Sequence, residues 1–155
     1  MNAFIGYVSM SGNTEDIANI LKESLLSKGV EVEMGSLDEI EGKSVFDYDC
    51  TFIGTYTWGD GDLPYEAEDI YTELDGLDLT GKYAACFGSG DYDYPKFCGA
   101  VDVFSKKLEE RGCHVFSQQL KVEFAPETDD QVMECQRFAQ SVIEWMSETK
   151  DAELV

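Results

Sequence analysis

Three stretches of the chain, AFIGYV (Ala3 to Val8), CTFIG (Cys50 to Gly54) and KYAACFG (Lys82 to Gly88), are apolar at almost every position. A strand with one wet face alternates apolar and polar residues, so runs this continuous belong to strands covered on both sides, as in a parallel sheet. VEVEM (Val30 to Met34) does alternate and suits an edge, and the stretch from Cys113 to Phe124 reads as a fifth strand. Between these runs the apolar residues fall at helical spacing: Ile17, Leu21 and Leu25; Val101, Phe104 and Leu108; Phe138, Val142, Trp145 and Met146. Strand and helix therefore alternate along the chain. This predicts an α/β three-layer sandwich, a five-stranded parallel sheet with helices on both faces.

The punctuation agrees with that reading. Asn13 or Thr14 can cap the first helix and Gly29 can end it, while Gly112 closes KKLEERG at the end of another. No repeat or linker interrupts the 155 residues, which are read as one domain spanning 1–155. At this length folding buries roughly 70% of the unfolded surface, enough for a substantial core. The polar ending, from 149 to 155, is expected to fray.

Charge narrows the possible partners. Thirty-two Asp and Glu against 11 Lys and Arg give a formal net charge of −21, which argues against nucleic acid and against an anionic membrane surface, because both are bound through basic side chains. The acidic excess serves solubility, or steering toward basic partner proteins, and charge alone does not separate the two. No signal-peptide pattern follows Met1, and no run reaches the roughly 20 apolar residues of a membrane span. Five cysteines, an odd count with no CxxC pair, suit reduced thiols in a cytoplasm better than disulfides or a zinc site. The single histidine, His114, reads as a strand residue and no metal site is expected.

In open sheets of this kind ligands sit beyond the carboxyl ends of the strands. The loops there read SMSGNT (Ser9 to Thr14), TYTWGDGDLP (Thr55 to Pro64) and SGDYDYPKFCG (Ser89 to Gly99). The first joins a strand to a helix start, where backbone N–H groups and the helix dipole favour an anion. It is neither a GxxxxGK[ST] loop nor GxGxxG. Ser9, Ser11 and Thr14 offer hydroxyls and Asn13 an amide, so neutral donors could satisfy a phosphate monoester; a plain helix cap explains the segment equally well. In the second loop Trp58 lies among polar residues and glycines, where a flat exposed surface is expected, and Gly59 and Gly61 allow close backbone approach. The third brings Tyr92 and Tyr94 among Asp91 and Asp93. A planar aromatic ligand with a phosphate tail would use all three loops. Cys98, with no evident base, reads as a helix-start or core residue.

SMSGNT resembles the (S/T)x(S/T)GNT phosphate loop of flavodoxins, TWGDG resembles their second flavin loop, and GSGDYDYPKFCGAVD is similar to their third. The strand order 2-1-3-4-5, with FMN at the point where strand order reverses, is the family's and comes with the resemblance. So do the site roles. The resemblance implies FMN, its phosphate among Ser9, Ser11, Gly12, Asn13 and Thr14, with Thr57 near the phosphate or the ribityl chain and Met10 also in the cofactor-binding set. Trp58 and Tyr94 would cover the two faces of the ring, and the Gly59 peptide would turn toward flavin N5 on one-electron reduction. Asp60, Asp91 and Cys98 would meet the ring edge mainly through backbone; Thr55, Tyr56, Ser89, Gly90, Tyr92 and Phe97 complete the cofactor-binding set. Tyr56 stands where the family commonly has a smaller hydroxyl residue. The stretch from Cys113 to Phe124 lacks the roughly 20-residue insertion of long-chain members, so the chain resembles the short-chain ones.

The function implied is a low-potential one-electron carrier, not an enzyme. Asp60, Asp62, Glu66, Asp91 and Asp93 would disfavour negative charge on the reduced flavin and dock the basic faces of reductases and acceptor enzymes, transiently and as a monomer. The competing enzyme reading is an NAD(P)H-dependent quinone reductase of similar fold. A phosphoacceptor signalling domain would need acidic residues after the first strand and an aspartate at the third, where this chain has Ser9 to Ser11 and Thr55.

Overall fold

The computed structural model describes residues 1–153. Strands β1 (Asn2–Val8), β2 (Glu31–Ser36), β3 (Cys50–Tyr56) and β4 (Tyr83–Gly90) lie parallel in the order β2-β1-β3-β4. Helices α1 (Asn13–Ser27), α2 (Glu68–Glu73), α3 (Gly99–Glu110) and α4 (Asp129–Glu153) cover the sheet. The continuous apolar runs have the cause the sequence suggested. Ala3, Ile5, Phe52, Ala85 and Phe87 enter one core beneath α1 and α4, with Ile17, Leu21, Phe138, Val142 and Met146. Their immediate neighbours Phe4, Ile53, Ala84 and Cys86 enter the other core beneath α2 and α3, with Ile70, Leu74, Val101, Phe104 and Leu108. Each fully buried Leu, Ile or Phe contributes about 1.5–3 kcal/mol. The alternating segment forms the edge strand β2, with Glu31 and Glu33 outward.

The fifth strand differs from expectation. Instead of one strand from Cys113 to Phe124 there are two, β5 (His114–Val115) and β6 (Leu120–Glu123), both parallel to β4. Val115 pairs with Ala84 and Leu120 with Phe87, so the chain takes five steps where β4 takes three. The polar Ser117, Gln118 and Gln119 bulge out, and Phe116 and Leu120 both reach the core beneath α4. A further element, α2, runs between short 3₁₀ turns at Tyr65–Ala67 and Leu74–Gly76. It buries Ala67, Ile70 and Leu74, a helical spacing hidden in the sequence among Glu66, Glu68, Asp69, Glu73 and Asp75. The ending predicted to fray from 149 is helical as far as Glu153, and residues 154–155 lie outside the described residues.

Helix termini are set by backbone more than by side-chain caps. Neither Asn13 nor Thr14 caps α1: the N-cap is Gly12, at φ 94°, and the serine hydroxyl oxygen of Ser9 accepts from the Gly12 and Glu15 amides at 3.1 and 3.4 Å. Gly29 and Gly112 follow α1 and α3 with positive φ, as expected.

All five cysteines are free and buried. Burial raises the thiol pKa of Cys98, Cys113 and Cys135 to about 12, and raises Cys50 and Cys86 further. An unfolded chain releases these protons near pH 9 while the folded chain keeps them, so stability is full below that pH and declines above it. The decline is about 1.4 kcal/mol per pH unit per thiol. Urea midpoints measured across this alkaline range should fall steeply, and a thiol reagent should modify the protein only on unfolding; rapid modification of the native chain would contradict the burial.

Candidate functional site

The loops after β1, β3 and β4 and the end of β6 enclose an open cleft of about 240 Å³ at the carboxyl edge of the sheet. Its first wall is the turn into α1. The left-handed Gly12 and the two bonds to Ser9 Oγ orient the turn. Among the described residues the Ser11 and Asn13 side chains, which line the cleft, make no hydrogen bond, and the amides of Ser11, Asn13 and Thr14 meet no acceptor. Polar groups aimed into a cleft at a helix start, next to a dipole that favours negative charge, suit a phosphate. Met10 lies beside them, largely exposed. Thr14 is fully buried and shares a 2.7 Å hydroxyl–hydroxyl bond with Ser89 of β4, tying the first loop to the third.

The second wall follows β3. Trp58 and Asp62 exchange two backbone bonds, 2.9 and 2.8 Å, around a turn whose Gly59 and Gly61 have φ of 53° and 95°. The Thr57 hydroxyl oxygen accepts from the Ala100 amide at 3.2 Å and fastens this loop to the start of α3. Thr57 and Gly59 line the cleft. Trp58 is 57% exposed, on the outer side of the loop, where it borders a hollow with Met10, Leu63 and Tyr65. Tyr56 lines both spaces, and its hydroxyl donates to the Glu66 carboxylate at 2.6 Å. Burial, and then that carboxylate, push the phenol pKa well above its ordinary value, so it stays a donor.

The third wall follows β4. The Asp91 carboxylate accepts from the Asp93 amide at 2.9 Å, and the Asp91 carbonyl from the Tyr94 amide at 3.1 Å. This Asx turn projects Tyr94 into the cleft wall, 55% exposed, beside Ser89, Gly90 and Asp91. Cys98 ends the loop at φ 53°, buried as the N-cap of α3. Its raised pKa keeps it a thiol at neutral pH.

Of the residues assigned to the site from sequence, Ser9, Gly12, Thr14 and Thr55 support the loops without lining the cleft. Asp60 lies exposed at the tip of the second turn. Tyr92 and Phe97 stack on each other, ring centroids 4.0 Å apart at 20°, away from the cleft lining. Two lining residues were not foreseen. Lys96 stands inside the third loop, and Phe124, with φ 55°, follows β6 and donates its amide to the Gly90 carbonyl at 2.9 Å. Lys96 could have been picked out within a loop already singled out; Phe124 comes to the site only through the pairing of β6 with β4.

The flavodoxin family model matches residues 5–138. Probable flavodoxin 1 of Bacillus subtilis is 50% identical over 143 residues, 92% of this chain and 90% of that protein. The flavodoxin of Maridesulfovibrio salexigens is 36% identical, covering 83% of this chain and 90% of its own. Among solved structures, oxidised flavodoxin 2 from Bacillus cereus superposes with a TM-score of 0.90 at 44% identity, covering 93% of this chain and 99% of that one. With the strand order, the three loops and these relatives in agreement, the chain belongs to the flavodoxin family, the FMN-binding proteins that transfer electrons without themselves being enzymes.

Proposed function

We propose that this chain holds FMN in the cleft and passes single electrons at low potential between a reductase and acceptor enzymes whose contact faces are basic. The observation that carries the site assignment is the joining of two unlike walls. Ser11, Asn13 and the adjoining amides offer donors with no partner among the described residues, and Tyr94 offers an exposed ring across the same cleft. The phosphate takes the first wall and Tyr94 covers one face of the ring, while Trp58, which borders the neighbouring hollow with Tyr56, would turn inward to close the other. Bound flavin supplies the redox chemistry; the chain supplies orientation, shielding and charge. Asp60, Asp62, Glu66, Asp91 and Asp93, all on the loops around the cleft, oppose negative charge on the cofactor and so favour a low potential.

The same carboxylates, on a chain of net charge −21, steer basic partners into short-lived complexes. Among the described residues no helix is long and apolar enough to cross a membrane, and the buried free thiols suit the cytoplasm. We infer a monomer there. The test mixes the FMN-loaded protein with NADPH, with and without a flavodoxin reductase. NADPH should be consumed only when the reductase is present, at a rate that falls with rising salt. Consumption without reductase would make the chain a quinone-reductase type of enzyme, and a rate indifferent to salt would remove the steering role.

A further inference from the structure

Lys96 is the one cation among the described residues lining a cleft whose other lining groups are neutral or acidic. No carboxylate pairs with it among the described residues. Its stem is packed: a methyl group at Gly61 would lie 2.9 Å from both Cβ and Cδ of Lys96, and one at Gly99 would lie 2.8 Å from Gly61 Cα. The second loop and the start of α3 thus meet directly at Gly61 and Gly99, with the Lys96 stem packed against both glycines and no room for a side chain on either. The residue as a whole is exposed. An unpaired ammonium in this setting has no structural ion pair to serve, and in a chain with 32 acidic and 11 basic residues its position in the cleft wall is the exception to the local charge.

We propose that Lys96 is a positioning residue of the electron-transfer site with two separable effects. Its stem holds the turn that carries Gly59 and Trp58, and its charge partly offsets the repulsion that the acidic rim exerts on reduced cofactor. This rests on the FMN assignment above. Two-electron reduction by dithionite, itself oxidised to sulfite, adds two electrons and one proton to the ring, a net gain of one negative charge that a nearby cation favours. The acidic loops alone would drive the potential lower than the assembled site does.

The test compares wild type with K96M, which keeps the stem and removes the charge, and with K96A, which removes both. Dissociation constants are measured for oxidised and for dithionite-reduced FMN. In K96M the preference for reduced over oxidised FMN should move about threefold toward the oxidised form, as for unit charges 6 to 7 Å apart in a water-like medium. The shift should shrink in about 1 M salt, where charges are screened beyond roughly 3 Å. K96A should show the same shift together with weaker binding of both forms. A K96M ratio equal to wild type at low salt would overturn the charge role, and unchanged binding of both forms in K96A would overturn the positional one. A wild-type chain that retained no FMN would remove the cofactor assignment, and the role of Lys96 with it.

Discussion

Ser11→Asp should lower the affinity for FMN about twentyfold, the scale of placing a carboxylate about 4 Å from a phosphate of charge −1.5 to −2 in a water-like medium. Riboflavin, which has the same ring and no phosphate, loses less than about threefold by the same reckoning. The contrast follows from the geometry of the first wall. Ser11 lines the cleft without a partner among the described residues, so an acid there faces the phosphate. Thr14 would make a poorer probe. Its buried hydroxyl is bonded to Ser89, and its removal disturbs the junction of two loops before it disturbs any ligand. Fluorescence titration of both flavins into wild type and S11D measures the difference, and equal losses would place the phosphate elsewhere.

What the sequence made legible, and what it hid, divides along physical lines. Burial on both faces leaves a mark that composition alone preserves, and so β1, β3 and β4 could be read from AFIGYV, CTFIG and KYAACFG. A solvent-facing aromatic also leaves a mark: Trp58 among glycines and aspartates was expected on the surface and is 57% exposed there. Features decided by a competition between nearby groups were harder to read. Asn13 and Thr14 are good local caps, but Ser9, three residues before Gly12, reaches that amide because Gly12 adopts a left-handed turn. The division of the last strand into β5 and β6 depends on which of Phe116 and Leu120 enters the core, and both do. Phe97, placed by the resemblance in the cofactor-binding set, stacks on Tyr92 and does not line the cleft. Lys96 shows a different limit. Its identity was plain, but its place over Gly61 follows from loop-to-loop packing that no local pattern encodes.

Gly88→Ala should cost about 3 kcal/mol or more, the upper end of what an added methyl costs in a close-packed interior. Gly88 sits in β4 opposite Thr55 of β3, beneath the cleft. A methyl group there would lie 2.2 Å from the Thr55 carbonyl oxygen and 2.4 Å from Cγ2 of Val101 in α3. The second contact involves a side chain and can be relieved by Val101→Ala. The first involves backbone and cannot, because moving the Thr55 carbonyl shifts the end of β3, the strand from which the second loop departs. Adding Val101→Ala should therefore fail to restore stability, and it also opens a cavity where Val101 was. The ligand should register the same strain. Thr55 and Gly88 set the spacing between the second and third loops, so FMN affinity should fall together with the urea midpoint in G88A, and in the double variant too. Recovery of both by Val101→Ala would show that helix packing, and not the β3–β4 pairing, fixes the floor of the cleft.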